Sequence, residues 1–396
     1  MPDDVATPRV SSVDTYRGFV MFLMLAEVLR LASYAKNFPD SQFWQQVKFH
    51  TSHVDWTGCS LHDMIQPSFS FLVGVALIFS LKNRKARGQS IGISALHAAW
   101  RSILLILLGI FLRSQSSQQT NFTFEDTLTQ IGLGYLPLFG IALLPKRWWI
   151  FAFVGILIAY WAAFERYPQP AANFNYEAVG VKADWPHHAT GMAGHWNKNS
   201  NIAWAFDVQF LNLFPREKAF THNGGGYATL SFIATLTTMI LGLFAGSIML
   251  TNNKPWGTIG LYVVIGAVLI FLGITLAETG VCPIVKRIWT PSWVLYSGGI
   301  CFCMLAFFHA TTDAIGYSGW SWPLRVIGAN SILIYCIADT PGIAAWIIKQ
   351  FHTHFGSQMF TFAGEKSQGV IESAVVLILE WLFLVWLYMK RIFIRI

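Results

Sequence analysis

The chain has 396 residues and a formal net charge of +7; 54% of its residues are hydrophobic and only 12% are charged. Soluble globular proteins carry about 25% charged residues, so this composition excludes an ordinary soluble domain. Apolar runs of about 20 residues recur along the chain, and runs of that length cross a bilayer as helices. The sequence therefore predicts a polytopic membrane protein, and its positive charge gives no reason to expect nucleic acid as a partner.

The predicted elements are all α-helical. By the length criterion we expect about ten membrane helices in one all-α bundle, which forms a single transmembrane domain over residues 1–396. Their approximate limits are 16–36, 63–81, 93–112, 127–144, 148–165, 227–250, 256–277, 291–310, 323–348 and 369–389. Met1–Arg9 is polar and holds two aspartates, unlike a secretory signal, so the first helix is expected to act as an uncleaved insertion signal.

Basic residues in the short loops predict the orientation. Most of them follow helices two, four, six and ten, and they fall on one side if both termini are cytoplasmic. They are Lys82, Arg84, Lys85, Arg87, Lys146, Arg147, Lys254, Lys390, Arg391 and Arg395. Lys286 and Arg287 go against this bias. The segment 37–62 and the loops 166–226 and 350–368 are then expected on the outer side.

The long outer-face loop 166–226 is rich in Trp, Asn, His and Gly, as in Trp185-Pro-His-His188. Loops of this length are usually functional or disordered, and the aromatic content favours an ordered one. Aromatic faces beside amide side chains suit a polar, sugar-like ligand. The alternative is a lid that only packs on the helices.

Helix one carries two pairs of ionisable residues. Asp14 and Arg17 are three residues apart, as are Glu27 and Arg30, so each pair shares one helical face. The first pair either anchors the helix at the cytoplasmic interface or organises a pocket for an anionic co-substrate. The second pair falls within the span, where ionisable residues are candidates for a functional site, although its members could neutralise each other.

The segment from His53 to Ser80 sets a dense cluster of titratable residues directly before an apolar run. His53 precedes Asp63 by ten residues, and Trp56-Thr-Gly58 can turn the chain between them. A carboxylate could then fix the imidazole tautomer while the free ring nitrogen accepts a proton. A single histidine near a membrane interface is more often structural, and His62 is the competing base.

The remaining polar positions are less specific. Asn330 lies inside an apolar run, where an amide bonds across helices or lines a cavity. Cys59 and Cys282 both fall at predicted outer ends, so a disulfide between them has weak support. We find no phosphate-binding loop, dinucleotide fingerprint or metal-type His/Cys spacing, and no metal is predicted.

Seven short motifs follow one another along nearly the whole chain. They are Ser12-Val-Asp-Thr-Tyr-Arg-Gly18, His53-Val-Asp-Trp-Thr-Gly58, Asp63 with Pro67 and Phe71–Gly74, Ile131-Gly-Leu-Gly-Tyr135, Leu241-Gly-Leu-Phe-Ala-Gly246, Lys286-Arg-Ile-Trp-Thr290 and Gly328-Ala-Asn-Ser-Ile332. In this order they resemble the heparan-α-glucosaminide N-acetyltransferase family and its bacterial relatives. The His-x-x-Trp-x-Gly pattern followed by Asp-x-x-x-Pro is the most specific part.

The resemblance implies a membrane enzyme that takes an acetyl group from cytoplasmic acetyl-CoA. The acceptor would be an amino sugar or another saccharide on the outer face, with N- or O-acetyl transfer both open. The setting implied is the bacterial inner membrane, with the bilayer and the saccharide as partners; a homo-oligomer is left open. The resemblance places the family's active-site histidine at His53. We take Asp63 as the second candidate catalytic residue, and Asp14, Arg17, Glu27, Trp56 and Asn330 as candidates for substrate binding.

Three positions depart from the family pattern: Val28, Leu128-Thr-Gln130 and Asn223-Gly-Gly-Gly226. A different class of function also stays open, namely a non-catalytic transporter or binding protein for a sugar or a lipid-linked saccharide. Charges within a span, such as Glu27 and Arg30, suit a transport pathway as well. Binding of labelled acetyl-CoA would separate the two, since a transporter should show none.

Overall fold

The computed structural model of the chain describes residues 10–252 and 254–394. Over these residues the regular secondary structure is helical, apart from one isolated antiparallel bridge between Thr57 and Val285. The predicted all-α architecture is therefore confirmed. Met1–Arg9 and Arg395, which the sequence argument used for insertion and orientation, lie outside the described residues.

Fifteen α-helices occur in the described part of the chain. In chain order they are α1 (Ser11–Leu25), α2 (Leu31–Tyr34), α3 (Gln42–His50), α4 (Ile65–Ala86), α5 (Ile91–Ser114), α6 (Thr127–Ala142), α7 (Lys146–Arg166), α8 (Ile202–Phe210), α9 (Ser231–Thr251), α10 (Pro255–Glu278), α11 (Pro291–Phe308), α12 (Trp322–Ala329), α13 (Ser331–Asp339), α14 (Ile343–Phe355) and α15 (Gln368–Met389).

Seven helical segments of the described chain are long and apolar enough to cross a membrane, some with an extra turn at one end. They are His62–Ala86, Ile91–Ser114, Lys146–Arg166, Ser231–Thr251, Pro255–Glu278, Pro291–Ala314 and Glu365–Met389. Two bent pairs, α1 with α2 and α12 with α13, bring the number to nine. Helix α6 is apolar but has only 16 residues. The polytopic character is confirmed, with nine candidate spans against about ten predicted.

The first predicted span, 16–36, is not a straight helix. After α1 the chain passes through a 3₁₀ turn, Ala26–Leu29, and then bends by 44° into α2. Arg30 lies at the bend with φ 49°, in the left-handed region that a non-glycine residue rarely adopts. The bend takes Glu27 out of regular α-helix.

The predicted continuous helix over 323–348 is wrong. The chain bends by 68° between α12 and α13, and α13 ends at Asp339. Thr340 precedes a proline, which disfavours the helical conformation, and it is extended with ψ 114°. Gly342 then takes φ 90° before α14 begins. Thr340-Pro-Gly342 is therefore the stop signal that the hydropathy pattern concealed.

The chain forms two compact units. The first holds Asp55–Gly58 and Gln66–Ala310. Within it α4 and α9 touch backbone to backbone, because a Cβ atom added at Gly74 would lie 1.9 Å from the carbonyl oxygen of Met239. Such small residues let membrane helices approach closely.

The long loop belongs to the first unit and is ordered, as its aromatic content predicted. Trp196 is fully buried and stacks on Phe164, with ring centroids 4.1 Å apart. The side-chain amide of Asn199 donates to the carbonyl groups of Val179 and Asn223 at 2.9 Å each. These contacts tie the loop to itself and to the end of α7.

The second unit holds Val10–Val54, Cys59–Ile65 and the chain from Thr311 onward. Helix α1 packs closely on α12, since a Cβ atom added at Gly18 would lie 1.9 Å from the carbonyl oxygen of Leu324. All five cysteines of the chain are free thiols. The disulfide considered for Cys59 and Cys282 is therefore not formed.

Candidate functional site

The two predicted catalytic residues meet within the second unit. Nδ1 of His53 lies 2.8 Å from Oδ1 of Asp63. The Asp63 side chain is only 1% exposed, whereas 40% of the His53 side chain is exposed. A buried carboxylate therefore backs an imidazole that remains open to a ligand.

The second oxygen of Asp63 holds the carboxylate in place. Oδ2 accepts hydrogen bonds from the backbone N–H groups of Val54, at 3.2 Å, and Ser60, at 3.1 Å. The hydroxyl of Ser60 lies 3.0 Å from the same oxygen. Hydrogen bonds to an ionised acceptor are about twice as strong as neutral ones, so this cluster fixes the orientation of Asp63 toward His53.

The contact with Asp63 determines which ring nitrogen of His53 carries the proton and which one can accept a proton. A carboxylate only accepts, so Nδ1 carries the proton and donates it to Asp63. In the neutral ring Nε2 is then the acceptor. Because 40% of the side chain is exposed, a nucleophile can approach Nε2 and give up a proton to it, which is the role of a general base.

The local sequence explains how residues ten apart come together. Gly58 has φ 112°, a conformation that favours glycine, and it reverses the chain after His53. A 3₁₀ turn, His62–Met64, follows and leads directly into α4. Asp63 thus stands just before the amino end of a long helix, where the helix dipole favours negative charge.

A second histidine–carboxylate pair lies beside the first. Nε2 of His62 is 3.3 Å from Oε1 of Glu27, and the His53 and His62 rings have centroids 4.3 Å apart. Glu27 is half exposed, at 51%. The structure therefore assembles two adjacent imidazoles, each with its own carboxylate.

Sequence reasoning missed the contact between Glu27 and His62. The three-residue spacing of Glu27 and Arg30 suggested a shared helical face, but the 3₁₀ turn Ala26–Leu29 ends the regular helix at this point. No glycine or proline marks that turn in the sequence. The partners are also 35 residues apart, so no local signal connected them.

The other predicted binding residues of the second unit make contacts of their own. Arg17 contacts Asp14 at 3.3 Å near the start of α1. At 1.5 Å per residue the two lie roughly 15 and 20 Å along the chain from Glu27. Asn330 is fully buried at the bend between α12 and α13. Its amide donates to the carbonyl of Ile392 at 3.1 Å and accepts from the N–H of Ile394 at 2.9 Å.

Trp56 belongs to the first unit and is 2% exposed. Its ring packs on Gly226, where a Cβ atom would lie 2.6 Å from Cζ3 of the indole. The Asn223-Gly-Gly-Gly226 segment, which departs from the family pattern, thus leaves room for the indole ring of Trp56 against the backbone.

The first unit also contains a group of buried acids at the amino end of α6. Burial raises the pKa of Glu125 to about 7 and that of Asp207 to about 6. Asp126 caps the helix by accepting from the N–H groups of Leu128 and Thr129 at 2.9 and 3.1 Å. The capping geometry gives this group a structural role.

No known family model matches the chain. It is 22% identical to the human protein named heparan-alpha-glucosaminide N-acetyltransferase over 428 aligned residues, which cover 98% of this chain and 60% of that protein. The mouse protein of the same name is 23% identical over 371 residues, covering 83% and 53%. The chain therefore spans little more than half the length of these curated relatives. The resemblance carried by the motifs is confirmed as a distant similarity to proteins named heparan-alpha-glucosaminide N-acetyltransferase.

Proposed function

We propose that the chain is a transmembrane acyltransferase that moves an acetyl group from cytoplasmic acetyl-CoA to a saccharide amine or hydroxyl on the outer face. In this proposal the whole chain acts as one domain in a bacterial inner membrane, with both termini cytoplasmic. The observation that carries it is the 2.8 Å contact of His53 with the buried Asp63. The distant similarity to N-acetyltransferases over 98% of the chain supports the reaction class.

The chemistry uses Nε2 of His53, the ring nitrogen that does not contact Asp63. Nε2 accepts a proton as the acceptor's nitrogen or oxygen attacks the thioester carbonyl of the donor. The tetrahedral adduct then collapses, the carbon–sulfur bond breaks, and the CoA thiolate leaves and is protonated. Asp63 keeps the proton on Nδ1 throughout and stabilises the imidazolium that forms. A positioned base of this kind contributes typically ~10²–10⁴-fold to the rate.

The same nitrogen can also carry the acetyl group. In that route Nε2 attacks the thioester carbonyl, the carbon–sulfur bond breaks, and the CoA thiolate leaves and is protonated. The acceptor's nitrogen or oxygen then takes the acetyl group from the acetylimidazole, and its own proton passes to the released Nε2. The route suits a donor and an acceptor on opposite sides of a membrane, because the acetyl group waits on the protein between two half-reactions. Asp14 and Arg17, at the far end of α1 from Glu27, would then serve the donor side.

The test compares the two adjacent histidines. We expect His53→Gln to lower kcat ~10²–10⁴-fold, with labelled acetyl-CoA and an amino-sugar acceptor in membranes. His62→Gln, its matched control, should lose less than about tenfold, because the partner of His62 is a half-exposed carboxylate and exposed ion pairs contribute only ~0–1 kcal/mol. Full acetylation by the His53 variant would refute the assignment.

Two further measurements separate the remaining alternatives. An acceptor whose amine is already blocked distinguishes N-transfer from O-transfer, since only a hydroxyl remains to react. Purified protein that binds no labelled acetyl-CoA, yet binds the saccharide, would be a transporter or binding protein. In that case the acyltransferase proposal is rejected.

A further inference from the structure

The second unit contains a cavity of about 700 Å³. It lies among the bend after α1, helix α14 and helix α15. The lining residues are Val28, Leu29, Arg30, Ser33, Tyr34, Asn37, Ala344, Ala345, Ile348, Lys349, His352, Thr353, Lys366, Gly369, Val370, Glu372 and Ser373. A volume in this range suits a small ligand or the headgroup of a larger one.

The charge of the lining favours an anion. Arg30, Lys349 and Lys366 all reach the cavity, and none of them has an acidic group within 4 Å among the described residues. Glu372 is the one acidic side chain in the described lining. With His352 neutral the lining therefore carries a net charge of +2, from three cations and one carboxylate.

The single carboxylate is already occupied by hydrogen bonds. Oε1 of Glu372 lies 2.7 Å from Nε2 of His352 and accepts from the side-chain amide of Gln368, also at 2.7 Å. These contacts hold Glu372 on α15, where it is mostly buried. The three exposed cations are left to meet an incoming negative charge.

A large part of the remaining wall is apolar. Val28, Leu29, Ile348 and Val370 line the cavity together with two alanines of α14. A small inorganic anion would use the cations but would leave this surface without a partner. A ligand that combines a negative headgroup with a hydrocarbon chain satisfies both parts of the lining.

We propose that this cavity binds a phosphate-bearing amphiphile. Arginine and lysine are the side chains that recognise phosphate, and phosphate supplies the negative charge of most membrane amphiphiles. A phospholipid of the bilayer and a lipid-linked saccharide phosphate share this chemistry. The 3₁₀ turn Ala26–Leu29 supplies Glu27 to His62 and Val28 and Leu29 to the cavity wall.

A ligand in the cavity therefore lies next to the segment that builds the candidate site. If the ligand is a lipid-linked saccharide, it is the acceptor, and this part of the inference rests on the proposed acyltransferase function. The binding of a phosphate-bearing amphiphile does not rest on it, because no acetyl transfer is needed to observe the complex.

The experiment measures binding to the purified full chain in a neutral detergent. Dioctanoyl phosphatidate is the probe; dioctanoylglycerol has the same chains without the phosphate, and inorganic phosphate has no chains. We expect phosphatidate to bind at least tenfold more tightly than either. Equal affinity for the diacylglycerol, or for inorganic phosphate, would overturn the proposal.

Charge variants locate the site. Each cation near an anionic lipid surface contributes roughly fivefold in affinity, so Lys349→Gln should weaken phosphatidate binding about fivefold. The triple variant of Arg30, Lys349 and Lys366 to Gln should weaken it about a hundredfold. Lys48→Gln, an exposed lysine of α3 outside the cavity, is the control and should change nothing. Unchanged binding by the triple variant would refute the site.

A final pair of probes identifies the source of the ligand. Glucosamine joined through phosphate to a farnesyl chain is compared with farnesyl phosphate alone. A tenfold preference for the sugar-bearing probe indicates a lipid-linked acceptor, and equal affinity indicates a phospholipid. Acetyl transfer from labelled acetyl-CoA to the sugar-bearing probe is measured with the unmodified chain as well, because intact binding without any acetyl transfer rejects the enzyme proposal and leaves the cavity proposal standing.

Discussion

Replacing Asp63 with asparagine would keep the size of the side chain but make its two terminal atoms different. In the native protein Oδ1 faces Nδ1 of His53, while Oδ2 faces the N–H groups of Val54 and Ser60 and the hydroxyl of Ser60. Asparagine must place its single oxygen at one of these two positions. The other position receives an NH₂ group, which only donates.

The hydrogen bonds decide which way the amide turns. With the NH₂ group at the Oδ2 position, the backbone N–H groups of Val54 and Ser60 would face a donor, and an unsatisfied buried group such as the N–H of Ser60 costs about 1–3 kcal/mol. With the NH₂ group facing His53, the imidazole needs only to change tautomer. We therefore expect the amide to donate to Nδ1 of His53, which moves the ring proton to Nε2.

The change of tautomer removes the base, because Nε2 now carries a proton. The equivalent substitution in the serine protease triad lowers kcat about 10⁴-fold for the same reason, and general-base catalysis as a whole contributes ~10²–10⁴-fold. For Asp63→Asn we expect a loss of kcat in that range, or about 3–5 kcal/mol of activation free energy. KM should change little.

The assay is transfer of labelled acetyl from acetyl-CoA to an amino-sugar acceptor in membranes, with kcat and KM measured separately. Asp40→Asn is the control, because Asp40 is an exposed aspartate of the same unit. Thermal unfolding should show that both variants fold. A kcat within threefold of the native value for folded Asp63→Asn would refute the reasoning.

Two predictions concern stability. Gly226 has φ 79° and little space beside Trp56, so Gly226→Ala should cost about 2–4 kcal/mol of unfolding free energy. Gly224→Ala, where a Cβ meets nothing within 4 Å, should change the unfolding free energy very little. Equal melting temperatures for the two alanine variants would contradict the packing argument. The raised pKa of Glu125, about 7, means that folding favours the protonated acid. The contribution of Glu125 to the unfolding free energy is then fully present below about pH 4.5 and is lost as the pH rises through 7. Melting temperatures measured against pH should show a smaller loss for Glu125→Gln. The control Glu177→Gln, at an exposed position, should leave the loss unchanged.

Short-range patterns predicted the contact between His53 and Asp63. His53 and Asp63 lie close in sequence, and Gly58 is a turn signal that the structure uses with φ 112°. The spacing therefore determined their contact without any knowledge of the rest of the fold. The apolar runs likewise located the helices, because hydrocarbon thickness sets their length.

Contacts between distant segments were not predictable in the same way. Glu27 reaches His62 only because the helix ends in a 3₁₀ turn before Arg30, and no glycine or proline announced that change. Hydropathy averaged over a long window also failed to show the helix stop at Thr340-Pro-Gly342, because the residues around it are apolar. In both predicted spans, 16–36 and 323–348, the backbone leaves the regular α-helix although the apolar composition predicted one continuous helix.

The two bends in the apolar segments account for the positions of the polar residues Arg30 and Asn330. Irregular backbone within a membrane segment is tolerated where it is buried in protein or lines a cavity. Arg30 stands at the first bend and lines the cavity, whereas Asn330 stands at the second and bonds the backbone of Ile392 and Ile394. At the second bend the polar side chain therefore finds its hydrogen-bond partners within the protein. At the first bend Arg30 instead faces the cavity. The turn beside it brings Glu27 to His62, so a ligand in the cavity would lie next to the segment that contacts this histidine.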